Sequence, residues 1–150
     1  MRDHSETRLH MAAVSYLRGE IRNGRNVIRV QSPFPDALFL HPVNEFKDEK
    51  EGFWGKAKGI LPGADDLLFW WLGGTGAIEL KTKSYLAPNQ KDFKANFEAC
   101  GGKWALCKKV SEVRDTLISW GLECRNSNCI EPKLSHNELL ALQSEIYRND

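Results

Sequence analysis

Two apolar runs, LLFWW at Leu67–Trp71 and GAIEL at Gly76–Leu80, flank the glycine-rich LGGT. Short β-prone runs joined by glycines predict a hairpin, with strands over about 65–71 and 75–83. Asp66 opens the first strand, and Glu79 and Lys81 lie in the second. Charged groups in so apolar a setting are costly unless they are paired or used. The rest of the fold has to accommodate these three.

Side chains alternate along a strand, so Glu79 and Lys81 share one face, and Ile78 and Leu80 the other. Asp66 likewise shares a face with Leu68 and Trp70. Two registers are open. A turn centred on Leu72-Gly73 sets Asp66 opposite Glu79 and gathers Asp66, Glu79 and Lys81 into one small volume. A turn centred on Gly74-Thr75 sets Asp66 opposite Lys83 instead, roughly 13 Å from Glu79. By the same alternation, Asp65 faces away from Glu79 in the first register.

Elsewhere helices and strands are mixed. Leu9, Ala12, Ala13, Tyr16 and Leu17 recur at helical spacing, predicting a helix over residues 3–18 with Asp3 and Glu6 as a capping box. NVIRV (26–30) and DALFLH (36–41) read as strands on either side of SPFP, which no helix crosses. Residues 43–59 are charged and punctuated by glycine. They read as a long loop, with Trp54 as its candidate functional aromatic. PNQKDFKANFEACGG predicts a helix from Pro88, with Phe93 and Phe97 as an i, i+4 pair and Gly101 or Gly102 as the stop. KWALCKK (103–109) reads as a strand, and SEVRDTLISWG (111–121) as a helix capped by Ser111 and Gly121. Ser135 and Glu138 then mark the start of a tail helix over about 135–148. This order predicts an α/β domain around one small mixed sheet.

The chain has 150 residues and a net charge of +1. One domain with a modest core is expected, and any nucleic-acid surface has to be local. No apolar run is long enough to span a membrane, and MRDHSETRLH lacks the apolar centre of a signal peptide. A cytoplasmic location follows as the expectation. There, unpaired thiols are expected for Cys100, Cys107, Cys124 and Cys129. The RNSN between Cys124 and Cys129 is not the two-residue gap of a zinc knuckle, which weighs against a zinc site with His136.

Two carboxylates gathered on one face repel, and a divalent cation removes the conflict. Mg²⁺ or Mn²⁺ suits such a set, because hard ions take oxygen ligands and keep several waters. Asp66 and Glu79 are the candidate metal ligands, with the Leu80 backbone carbonyl as a third donor. Lys81 would add a fixed positive charge that stabilises an attacked phosphate or orients the nucleophilic water. Glu-x-Lys is common on solvated strands. Here the flanking residues are apolar, which favours a use for the charges.

PGADD, then ELK, then NQ at a helix start resembles the VRR-NUC branch of the PD-(D/E)xK nucleases. The matching residues are Pro62, Gly63, Asp66, Glu79, Lys81 and Gln90. HPVNE (41–45), which includes Asn44, is similar to the family's His-x-Pro-Asn segment in altered order. At Asp65 the chain departs from the family, which often has proline there. The resemblance covers about residues 3–121, giving a nuclease-like domain over 1–121. It leaves 122–150 as a C-terminal extension, packed on that domain or at a dimer interface. It implies a restriction-endonuclease-like fold, a small central mixed sheet flanked by helices, and metal-dependent cutting of DNA. Asp66 and Glu79 would hold the ion, Gln90 would position water or a phosphate, and Glu6 of the first helix would be a further ligand. A branched substrate (four-way junction or flap) and a homodimer are implied too. So is a role in replication, recombination or repair in a bacterial or phage-infected host cell.

Lys56, Lys58, Lys83, Lys91, Lys94, Arg22 and Arg25 are candidate phosphate contacts, which hold DNA without reading its sequence. Trp70 and Trp71 could stack on bases. They point to opposite faces, so at least one is expected under a helix. Two other readings stand beside the nuclease. One is a non-cleaving DNA-binding accessory module, and the other a domain in which Glu79 and Lys81 are only a structural pair. Metal-dependent cutting that needs Lys81 and Asp66 would separate the nuclease from both.

Overall fold

In chain order, the computed structural model has α1 (Ser5–Leu17), β1 (Glu20–Asn23), β2 (Asn26–Arg29), β3 (Leu38–Leu40), α2 (Glu49–Ala57), β4 (Leu67–Trp71), β5 (Gly74–Leu80), α3 (Pro88–Ala99), β6 (Lys103–Cys107) and α4 (Val110–Ser119). The described residues are 4–23, 26–29, 31–42, 49–59, 61, 63–83 and 85–125. The expected tail helix lies outside them. Contacts divide the chain into two units, Met1–Pro35 with Lys109–Asp150, and Asp36–Lys108.

In the first unit, α1 packs with α4. Buried Ala13, Tyr16 and Leu17 form the inner side of α1, and Val110, Val113 and Leu117 repeat at helical spacing along α4. The helix starts differ from expectation. His4 is the N-cap of α1, with no side-chain capping bond, and the expected cap Asp3 lies outside the described residues. Lys109, not Ser111, is the N-cap of α4. Gly121, at φ 94°, ends that helix in a left-handed conformation that glycine adopts without strain. β1 was not expected. Its EIRN sequence has no apolar alternation, and the strand exists by pairing antiparallel with β2. Buried Glu20 at its start accepts from Ser15 Oγ at 3.4 Å and lies 3.8 Å from the Arg18 guanidinium.

The second unit holds a four-stranded mixed sheet in the order β3-β4-β5-β6. β3, β4 and β5 pair antiparallel, and α3 carries the chain across to β6, which runs parallel to β5. One face buries Leu67, Phe69, Ile78 and Leu80 almost completely. Phe39 of β3 faces Phe69 across the pair, with ring centroids 6.0 Å apart. On the other face, Ala77 and Trp104 sit side by side, and α3 lays Phe93 and Phe97 over them. These two rings stack at 5.5 Å, the expected i, i+4 pair. The sharp stop after α3 is needed sterically, since a Cβ on Gly102 would meet the Phe97 ring at 2.2 Å.

Segment 43–59, expected as a loop, contains α2. Its sequence, EKEGFWGKA, has two internal glycines and no apolar stripe, so neither propensity nor periodicity announces a helix. Cys100 and Cys107 are free thiols, as expected, whereas Cys124 is disulfide-bonded, against expectation. That expectation rested on the redox state of an assumed compartment rather than on the geometry of the chain. Among the described residues no helix is long and apolar enough to cross a membrane.

Candidate metal centre

β4 and β5 pair with Leu67 opposite Ile78 and Trp71 opposite Gly74, leaving Leu72 and Gly73 as the turn. This is the first of the two registers. The pairing ends at Leu67, and Asp66, at a bend just before β4, engages the N–H of Leu80 beside Glu79 through its side chain. The turn is closed by close packing, because a Cβ on Gly73 would meet the Trp71 indole nitrogen at 2.8 Å. Trp71 thus lies against the turn glycines. Trp70 is 40 % exposed.

Glu79 is the centre of the site. It is 2 % exposed. Lys81 Nζ lies 3.3 Å from its Oε1, the contact that strand alternation predicts for residues two apart. Gln90 Nε2 donates to the same oxygen. The other end of that amide is also used, since Gln90 Oε1 accepts from the Ala87 N–H at 3.0 Å and so caps α3. One side chain therefore ties the helix start to Glu79. Burial, and next the nearby Asp66, push the Glu79 carboxyl up to about 7, against the opposing pull of Lys81 and Gln90.

Asp66 closes the mouth of the hairpin. Its Oδ2 accepts from the Leu80 N–H at 2.8 Å, and its own carbonyl meets His41 Nδ1 at 2.7 Å. It is thus the N–H of Leu80 that Asp66 engages, on the peptide whose neighbouring carbonyl was the expected third donor.

Asp65 overturns one expectation. Alternation turned it away from Glu79, but strand β4 begins only at Leu67, and the rule does not hold before it. The chain reaches Asp65 through Gly63, at φ 78°, where a Cβ would meet the Asn89 carbonyl oxygen at 2.5 Å. This left-handed turn, pressed against the first turn of α3, carries Asp65 inward to 0 % exposure. Neither carboxylate oxygen has a hydrogen-bond partner. The Trp104 indole N–H and the Glu79 carboxylate are near enough to act on it, but neither completes a hydrogen bond, and Trp104 Nε1 is itself unpartnered. Burial, followed by the repulsion of Glu79, drives the Asp65 carboxyl up to about 8. The sequence signal for this residue was the glycine two positions upstream, which allows the chain to leave strand geometry.

The Asp65 and Asp66 carboxyls thus act electrostatically on Glu79, and the Lys81 ammonium pairs with it. Hard oxygen donors in excess over nearby positive charge are the donor chemistry of Mg²⁺ or Mn²⁺, and by donor type the set suits such an ion. Of the other expected site residues, Glu6 lies in the first turn of α1, in the first unit. Lys56, Lys58, Lys83 and Lys91 are exposed in the second unit. Lys94 sits 4.4 Å over the Trp104 ring, a cation–π contact on the same helix as Gln90. Arg22 is in β1. Pro62, Asn44 and Arg25 lie outside the described residues, as does the side chain of Trp54. Compared with known proteins, the chain matches no family model, no curated protein and no solved structure.

Proposed function

We propose that this chain is a metal-dependent endonuclease that hydrolyses DNA phosphodiester bonds, with a restriction-endonuclease-like domain of the PD-(D/E)xK type. The reading rests on one observation above the others. The Asp66 carboxylate accepts from the Leu80 N–H next to Glu79, and Lys81 Nζ lies 3.3 Å from the glutamate. Asp66 and Glu79 would hold Mg²⁺ or Mn²⁺, with the Leu80 carbonyl as a further donor. A bound divalent ion supplies charge neutralisation at the phosphate and a more acidic water.

The chain's own groups do the positioning. Gln90 fixes the Glu79 carboxylate from the helix side. Lys81 holds a positive charge beside it, where it stabilises charge developing on a scissile phosphate and orients the attacking water. Exposed Lys56, Lys58, Lys83 and Lys91 bind flanking phosphates without reading sequence. Trp70, 40 % exposed on the Asp66 face of β4, offers a stacking surface for an unpaired base. A branched substrate and a homodimer with one site per strand complete the proposal, together with a role in replication, recombination or repair in a bacterial or phage-infected cell.

The test uses labelled four-way junction, flap and linear duplex with Mg²⁺, Mn²⁺ or EDTA. The expected result is cutting of a branched substrate with either metal and none with EDTA. Binding of every substrate without any cutting would overturn the nuclease in favour of a DNA-binding module.

A further inference from the structure

The motif that suggests the site uses one aspartate, and the structure places two. Asp65 is fully buried, both of its oxygens lack a hydrogen-bond partner, and its neighbours are Glu79, Asp66 and the Trp104 indole. A buried carboxylate is ordinarily paired, hydrogen-bonded or bound to metal. Neither of its carboxylate neighbours makes a hydrogen bond to it. Lys81 makes its ion pair with Glu79. Asp66 and Glu79 each already have one oxygen engaged, by the Leu80 N–H and by Gln90 with Lys81 respectively. Asp65 is the carboxyl of the three whose whole donor capacity is unspent.

Its placement is also specific. The turn at Gly63 cannot accept a side chain without collision with Asn89, so the backbone that brings Asp65 inward is locked to the start of α3, at a residue between Ala87 and Gln90. The element that positions Gln90 on Glu79 therefore positions Asp65 on it too.

We propose that Asp65 is a third carboxylate ligand of the divalent cation held by Asp66 and Glu79, which makes the centre a three-carboxylate site. The inference rests on the metal-centre reading above and adds a donor to it. A third carboxylate raises affinity for a hard divalent ion and so favours metal loading before DNA arrives.

Isothermal titration of the full chain with Mn²⁺ alone, without DNA, tests this. Wild type is expected to bind. Asp65→Asn, which keeps size and shape, is expected to bind at least about tenfold more weakly with an unchanged circular dichroism spectrum. Glu79→Gln is expected to lose binding. If Asp65→Asn binds Mn²⁺ as wild type does while Glu79→Gln does not, Asp65 is no ligand, and the two-carboxylate centre stands. If wild type binds no Mn²⁺, both the centre and this proposal fall. A second variant guards against misfolding. Asp65→Cys is expected to shift preference from Mn²⁺ toward thiophilic Cd²⁺, with a new thiolate-to-metal absorption band absent from wild type. No shift in preference would overturn the assignment.

Discussion

A carboxyl group sealed from water without a hydrogen-bond partner disfavours its charged form. Asp65 is raised to about 8 in the metal-free fold by burial, then by Glu79. In the unfolded chain it titrates near 4. Between those values the folded state binds the extra proton. This contribution to stability is therefore fully present below about pH 4 and is lost as pH rises toward 8, at up to about 1.4 kcal/mol per pH unit. Glu79, raised to about 7 by burial and Asp66, acts in the same direction. Asp65→Asn removes its part of this dependence. Urea unfolding of the metal-free protein at pH 5 and pH 8 is expected to show a smaller loss in the variant than in wild type. At pH 8 the variant should be the more stable by about 2 kcal/mol. Equal losses would contradict the burial argument. Gln90 makes the complementary case. Its amide serves Ala87 with one end and Glu79 with the other. Gln90→Ala should lower stability by about 1–2 kcal/mol in the same unfolding assay.

The hairpin is the element that sequence reading handled best, and the reason is physical. Strand alternation and a glycine turn leave only two registers, and close packing of Trp71 on Gly73 goes with the one observed. Phe93 and Phe97 on α3 were equally legible, since i, i+4 aromatics on an amphipathic helix meet wherever the helix packs. Alternation failed at Asp65, because it is a rule for strands and the strand starts two residues later. β1 and α2 were invisible for a related reason. One is polar and held by its partner strand, and the other has glycines where a helix would have alanine or leucine. Two predictions belong at this level. Gly63→Ala requires both a strained φ and displacement of the Asn89 carbonyl. It is expected to cost about 3 kcal/mol by urea unfolding, and a loss under about 0.5 kcal/mol would contradict the account of that turn. Trp70→Ala leaves the core alone, as the side chain is 40 % exposed. It is expected to weaken binding of flap DNA about tenfold more than binding of linear duplex, measured by fluorescence anisotropy. Equal weakening would remove stacking from the account.

For the whole molecule, the proposed centre links metal binding to stability. Three carboxyls close together work against the fold until a cation joins them, so a bound ion stabilises the native state by mass action. Mn²⁺ at a hundred times its dissociation constant is expected to add about 2.7 kcal/mol, reversed by EDTA. A net charge of +1 gives no long-range attraction for DNA. Binding should then depend on local lysines and weaken steeply with salt. The central claim is that the Asp66, Glu79 and Lys81 cluster cuts DNA rather than merely holding the hairpin together. Single-turnover cleavage of a labelled four-way junction in Mn²⁺, by wild type and by Lys81→Ala, tests it most directly, with DNA affinity measured in parallel. The account predicts a rate at least about a hundredfold lower in the variant with affinity nearly unchanged. Equal rates in the two proteins, or no cleavage by wild type, would contradict it.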